Sequence, residues 1–386
     1  MIELFAFALT GYVAPQEDSI RTEDFRRHIE FLASPEMKGR NNGTPEGAKA
    51  AQYVADEMKR IGLKPAGSDG YFHRFKASKG RGGDVPEFDG VNVIGLLEGT
   101  ELKNEYVVLN AHHDHLGVLK GSIRPGADDN ASGVAMILEL AEAFAKKPTR
   151  RNLLFISFDC EEDGLVGSRE FVNSGLYDPK SIAADFCFDL IGGDFYPWES
   201  TAIYALGSET SPEIASVLAK HSLEGLAVRR CGVYLIEPMG FSRSDYENFR
   251  TKKVPFLFFS TGTPWYYHTS HDTPDKINWT KITLAGRFCY RVIAEVADAK
   301  DRPTMGARPP PSLEDAEFLR AAVEKVLGSE EVHVTEEQRE LGKNVLSKLD
   351  AILQVGKPTE GDRGELRQAM AWLFEVQKGQ ITHYGK

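Results

Sequence analysis

The side chains best suited to chemistry in this sequence are gathered in five short segments, each at the end of an apolar stretch or beside a tight turn. Residues 107–117 (VVLNAHHDHLG) run from a strand-like pattern into His112, His113, Asp114 and His115. On an extended chain residues two apart share a face, so Asp114 falls on the side of His112 and can orient its imidazole. Residues 125–133 (PGADDNASG) put Asp128 and Asp129 where a small-residue loop enters a helix. Residues 158–168 (FDCEEDGLVGS) hold four acids, Asp159, Glu161, Glu162 and Asp163, within five positions. Such a group repels itself unless a cation compensates. Residues 186–193 (FCFDLIGG) end an apolar strand on Asp189, and residues 265–277 (WYYHTSHDTPDKI) carry His268 and His271. Singly, each segment has a plainer reading. Strand-end histidines are usually structural, paired aspartates cap helices, and an acidic loop can simply be solvated. As a set, imidazoles and carboxylates without thiolates suit a hydrolytic metal site. Two metals ~3.5–4 Å apart need a bridging carboxylate with terminal ligands on each side.

The pattern between these segments predicts what holds them. Helices are expected from Glu23, at 44–60 with Thr44 as cap and Gly62 as stop, and at 131–146. Shorter helices are expected at 167–174, 212–221 and 244–251, and a long one at 280–299. Strands are expected at 91–97, 106–111, 152–158, 184–189, 201–206, 228–236 and 254–260. A Gly-rich loop covers 79–84. Strands alternating with helices imply an α/β layered fold whose ligands gather at the carboxyl ends of the strands. Residues 302–311 (RPTMGARPPP) read as a Pro-rich linker. Residues 312–386 read as helices only, with Ser312 and Thr335 as caps and apolar stripes at Leu319, Val323, Val326 and at Leu346, Leu349, Leu353. This tail is either a partner-binding or dimerisation module or a stabilising appendage, and the second reading is preferred.

The chain has 386 residues, 41% hydrophobic and 27% charged, which fits a folded globular protein and excludes general disorder. Net charge is −11, and no run of lysine and arginine exceeds three residues, so nucleic-acid binding is excluded. No apolar run is long enough to span a membrane. The four cysteines, Cys160, Cys187, Cys231 and Cys289, form no metal-binding or disulfide-dense pattern and read as buried free thiols. Residues 1–14 (MIELFAFALTGYVA) are apolar and read equally as the core of an export signal or as an ordinary N-terminal segment; Glu3 and the missing basic start argue for the latter.

In order, the HxD, DNASG, EExGLxGS, DLIG and YHxxxDTxDKI segments resemble the M28 family of zinc aminopeptidases, over roughly residues 23–299. The resemblance implies a three-layer α/β/α domain with a mostly parallel, mixed central sheet, here at 23–301, followed by the linker 302–311 and the α-helical extension 312–386. It implies two Zn2+ per chain and peptide substrates cleaved at the N-terminal residue. His112, Asp129, Glu162, Asp189 and His268 match the metal ligands, with Asp129 bridging and Asp128 excluded from that role. Glu161 matches the general base, Asp114 the acid supporting His112, and Tyr267 a residue that stabilises the tetrahedral intermediate. His113 and His271 fall at variable positions. Cys187 and Tyr246 stand where asparagine and histidine are frequent, which leaves the metal set intact and alters the substrate pocket. Phe195, Tyr196 and Trp198 either wall that pocket or pack structurally, the latter preferred. Between the first strands there is no room for the protease-associated insert that many relatives carry. The rivals are a glutaminyl-peptide cyclotransferase using one zinc, a carboxypeptidase of the M20 type, and a non-catalytic binding domain on the same fold. The 78 residues between Asp189 and His268 leave no lid domain, which disfavours the M20 type. Export to the periplasm or outside the cell is expected because relatives are often exported. The oligomeric state is left open.

Overall fold

Caps and breakers set the first elements. Thr44 accepts a hydrogen bond from the Gly47 N–H, Pro45 opens the helix, and left-handed Gly62 closes it. The computed structural model describes residues 16–78, 87–232 and 244–384. The candidate export segment 1–14, the expected loop 79–84 and the last four positions of the strand expected at 228–236 lie outside those residues. In chain order the helices are α1 (Thr22–Leu32), α2 (Pro45–Ile61), α3 (Gly133–Ala145), α4 (Val166–Asn173), α5 (Pro212–Lys220), α6 (Tyr246–Thr251), α7 (Trp279–Asp298), α8 (Leu313–Gly328), α9 (Glu336–Val355) and α10 (Arg363–Tyr384). The strands are β1 (Lys64–Pro65), β2 (Phe72–Ser78), β3 (Glu87–Leu97), β4 (Leu102–His112), β5 (Val118–Leu119), β6 (Ser122–Ile123), β7 (Arg151–Phe158), β8 (Ile182–Phe188), β9 (Ala202–Leu206), β10 (Ala227–Cys231) and β11 (Phe256–Ser260).

Among the described residues nine strands form one mixed sheet in the order β1-β3-β7-β4-β8-β11-β9-β10, with β2 on β3. The central strands β7, β4, β8 and β11 are mutually parallel. Every residue of β7, β8 and β11 is buried, which is why they read as unbroken apolar runs rather than alternating ones. β3 joins β7 antiparallel and β9 joins β11 antiparallel, so the outer strands make the sheet mixed. Helices cover the sheet, and the three-layer α/β/α expectation holds. Three elements were not expected: β1, β2 and the β5–β6 hairpin. β2 (FHRFKAS) mixes charges with aromatics and has little signal of its own. It is fixed by seven antiparallel pairings to β3.

The core is largest where α1, α2, α3 and α7 meet the sheet. α3 is apolar on nearly every side, as a central helix must be. Its exception is Glu139, 2% exposed, whose carboxyl burial pushes up to about 8. His28, also buried and pushed down to about 4 mainly by burial, lies 3.7 Å from it. Both are therefore neutral across the middle of the pH range. An acid whose folded pKa is raised opposes folding once ionised in the unfolded chain. The penalty is absent below about 4.5 and complete above about 8. Glu139→Gln is expected to melt near the parent at pH 5 and several degrees higher at pH 9, a gain on the order of 2–4 kcal/mol. Melting curves of both proteins at the two pH values check it; an equal difference at both pH values would refute it.

The C-terminal helices α8, α9 and α10 share a second core with β9, β11 and Phe195, Tyr196 and Tyr246. Tyr196 donates to the Leu373 carbonyl (2.8 Å), and Phe195 stacks at a tilt on Phe374. Phe195 and Tyr196 thus pack structurally against the extension, as preferred from sequence. Ser312 and Thr335 both form capping boxes. All four cysteines are buried and unbridged. Among the described residues no helix is long and apolar enough to cross a membrane.

Candidate metal centre

The parallel strands β4, β7 and β8 end side by side, on His112, Phe158 and Phe188. Each carries its functional group at or just beyond its carboxyl end, where a layered sheet leaves room for ligands. The His113 N–H donates to the Phe158 carbonyl (2.8 Å) and closes β4 against β7. The chain then leaves the strand, so the expectation that Asp114 shares a strand face with His112 does not hold. Asp114 supports His112 by another route. His112 Nδ1 donates to the Asp114 main-chain carbonyl (3.1 Å), and the Asp114 carboxylate lies 3.6 Å away. That carboxylate also accepts the Glu161 and Glu162 N–H groups (3.1 and 3.3 Å), tying the β4 end to the acidic turn after β7.

His112, Asp129, Glu162, Asp189 and His268 converge. His112 Nε2 stands 3.4 Å from Asp129 Oδ1 and 3.5 Å from Asp189 Oδ1. His268 Nε2 stands 3.1 Å from Asp129 Oδ2 and 3.2 Å from Glu162 Oε2. Asp129 therefore offers one oxygen to each of two groups. Four of these atoms, His112 Nε2, Asp129 Oδ2, Asp189 Oδ1 and His268 Nε2, are buried without a well-directed hydrogen bond among the described residues. Leaving each so costs about 1–3 kcal/mol. Ligands ~2.0–2.1 Å from a tetrahedral ion stand ~3.4 Å apart, close to the spacings here. The residues fit a pair of metal ions. Glu161 lies beside the cluster without joining it, its Oε2 4.0 Å from His112 Nε2.

A rigid loop presents Asp129. The Asp129–Asn130 peptide bond is cis. The guanidinium of Arg40, fully buried, donates to the carbonyls of Pro125, Gly126 and Asp129. From the other side the Asp272 carboxylate accepts the Asp128 and Asp129 N–H groups (2.8 and 3.0 Å). Asp128 turns away from the cluster. Its Oδ1 accepts the Gly192 and Gly193 N–H groups (2.7 and 3.0 Å), and Tyr266 donates to its Oδ2 (3.4 Å). A Cβ on Gly193 would strike the Tyr266 hydroxyl, so that position has room for glycine alone.

The electrostatics separate the acids. Burial and the Asp129 charge would raise Glu162, but His268 and the hydrogen bond from His115 hold it down at about 2. Burial opposes the protonated form of His268, yet Glu162 and Asp129 raise it to about 10. Burial, opposed by His112 and reinforced by Glu162 and Asp189, pushes Glu161 well above the usual carboxylate range. Of two neighbouring glutamates, one is held as a carboxylate and the other is made a ready proton carrier.

The Tyr267 ring is half-buried and stacks on the His268 imidazole, centroids 3.7 Å apart. His113 turns onto Ser157 (3.0 Å) and His271 onto Trp265, both outside the cluster. Three contributors were missed from sequence: Arg40, Asp272 and His115. His115 Nδ1 lies 2.7 Å from Glu162 Oε1 and joins Asp129 and Glu162 in a group that could hold a metal, as His112 and Asp189 do with Asp129. Its signal was present in HHDHLG. It was assigned no role, because the strand stops at His112 and periodicity gives no direction beyond it.

The family model described as peptidase family M28 matches residues 92–293, just over half of the chain and the span holding every residue of the cluster. Among curated proteins, aminopeptidase YwaD of Bacillus subtilis is 26% identical over 230 residues, 55% of this chain and 46% of that one. This chain thus matches about half the length of that relative. Among solved structures, the aminopeptidase from Aneurinibacillus sp. strain AM-1 superposes with a TM-score of 0.57 at 19% identity, covering 78% of this chain and 99% of that one. The glutaminyl cyclase of Porphyromonas gingivalis superposes with a TM-score of 0.56 at 15% identity, covering 71% and 98%. At these identities the superpositions speak for the fold alone.

Proposed function

The chain belongs to peptidase family M28, and on that footing we propose that it is a zinc-dependent aminopeptidase releasing N-terminal residues from peptides. The observation that carries the reading is the split of Asp129: Oδ1 faces His112, which also meets Asp189, and Oδ2 faces His268, which also meets Glu162. One carboxylate shared by two ligand groups is what a two-metal hydrolase needs. The zinc named for solved relatives such as the aminopeptidase of Bacillus subtilis suits these imidazole and carboxylate donors.

Bound zinc ions would polarise the scissile carbonyl and lower the pKa of a bound water. Glu161, beside the cluster and outside its ligand atoms, takes a proton from that water and hands it to the leaving amine. Its raised proton affinity suits the second half of that task. Asp114 holds His112 and the Glu161–Glu162 turn in one frame. The Tyr267 hydroxyl, carried on a ring stacked against His268, stabilises the oxyanion. The carboxylates of the cluster anchor the substrate's free ammonium.

The cyclase reading needs one zinc, and it leaves one of the two ligand groups that meet at Asp129 without a purpose. The test is metal content and turnover of a panel of aminoacyl-chromophore substrates in one sample, before and after chelation. Two zinc ions per chain and release lost on chelation are expected. One ion, no release, and cyclisation of a glutaminyl peptide would replace the proposal with the cyclase.

A further inference from the structure

We propose that His115 is the positioning residue of the second metal position: its Nδ1–H donates to Glu162 Oε1 and so turns Oε2 toward His268. The inference rests on the two-metal reading and adds a residue to it.

His115 is fully buried and its ring cannot swing. Gly126 lies against it at φ +63°, and a Cβ there would come within 2.5 Å of His115 Cδ2. The Asn41 side chain donates to the His115 carbonyl (2.9 Å), fixing the backbone below. The His268 ring meets it edge-on at 5.8 Å. With the ring held, Nδ1 reaches Glu162 Oε1 at 2.7 Å, a charge-assisted distance. The other oxygen, Oε2, is left 3.2 Å from His268 Nε2.

Direct ligation by His115 fits less well. Two atoms on one tetrahedral ion stand ~3.4 Å apart. The 2.7 Å contact is too short for that, and Nδ1 is 3.8 Å from Asp129 Oδ2, the oxygen the position would share. Donation explains both distances. It also makes the two metal positions alike in design: His112 is oriented by Asp114, and Glu162 by His115. Partners of this kind typically contribute 10- to 100-fold in metal affinity.

The test is calorimetric titration of the metal-stripped protein with zinc, alongside its melting temperature. The parent is expected to show two binding events. His115→Asn, whose amide can donate where Nδ1 did, is expected to keep both within several-fold. His115→Leu, of similar size without a donor, is expected to weaken one event ~10- to 100-fold and leave the other unchanged. Equal weakening of both events in the Leu protein, no weakening, or an Asn protein as impaired as the Leu protein would overturn the inference. If the Leu protein does not fold, the Asn protein decides: loss of ~10-fold or more at one site overturns it, and retention of both sites supports it. A parent that binds fewer than two ions fails earlier and refutes the two-metal reading itself.

Discussion

Glu161→Gln is expected to lower kcat by about 100- to 10,000-fold with two zinc ions still bound and no loss of melting temperature. The expectation follows from where the side chain stands. Glu161 Oε2 is 4.0 Å from His112 Nε2, wider than the separations of that imidazole from Asp114, Asp129 and Asp189, whereas the neighbouring Glu162 contacts two histidines at 2.7 and 3.2 Å. Metal affinity is carried by the second glutamate and proton transfer by the first. An amide has the size of the carboxyl and preserves the turn, whose N–H groups stay on Asp114. What it lacks is an oxygen that can take a proton and return it. Glu162→Gln should do the reverse and lose one ion per chain. Parallel measurements of kcat, KM and bound zinc on both variants separate the roles. Unchanged turnover in Glu161→Gln would remove it from the mechanism.

Most of the site was legible because metal chemistry restricts residue types and layered sheets restrict where they fall. His112, Asp129, Glu162 and Asp189 lie at or near strand ends and helix starts that periodicity could locate, His268 lies in the longer loop after β11, and the structure gathers all five. What was illegible came from places where local pattern gives way to tertiary contact. β2 carries Arg74 and Lys76 among its aromatics and is a strand because β3 pairs with it. Arg40 sits in a loop with the composition of a turn; only the fold brings its guanidinium to three carbonyls 85 to 89 residues away. Asp272 stood in a quoted motif, yet its task is to receive two N–H groups of a loop more than 140 residues earlier. His115 was given no role for a sharper reason: strand periodicity ends with β4 at His112, and nothing local says where a side chain three residues further on will point. Arg40 and Asp272 act on backbone groups, and those leave no mark on sequence pattern.

The adjacent aspartates of PGADDNASG make the strongest test of the assignment, because they should fail in opposite ways. Asp129→Ala removes the one residue common to both ligand groups. It leaves His112 with Asp189, and His268 with Glu162, two protein ligands apiece. That is too few for tight binding where ~three or four protein ligands are usual. Less than one zinc ion per chain and no measurable turnover are expected. The loop itself should keep its shape in the metal-free chain, since Asp129 is held through its main-chain N–H and carbonyl, which alanine keeps. Asp128→Ala leaves the ligand set complete. It strips a buried acceptor from the N–H groups of Gly192 and Gly193 and from the Tyr266 hydroxyl. Two orphaned N–H groups at about 1–2 kcal/mol each amount to roughly 2–4 kcal/mol, a drop in melting temperature of several degrees. Well below that temperature the protein should still bind two zinc ions. Bound zinc and metal-free melting temperature, measured on both variants, read the contrast directly. A protein that loses its metals with Asp128 and keeps them without Asp129 would have its bridging carboxylate one residue earlier than proposed.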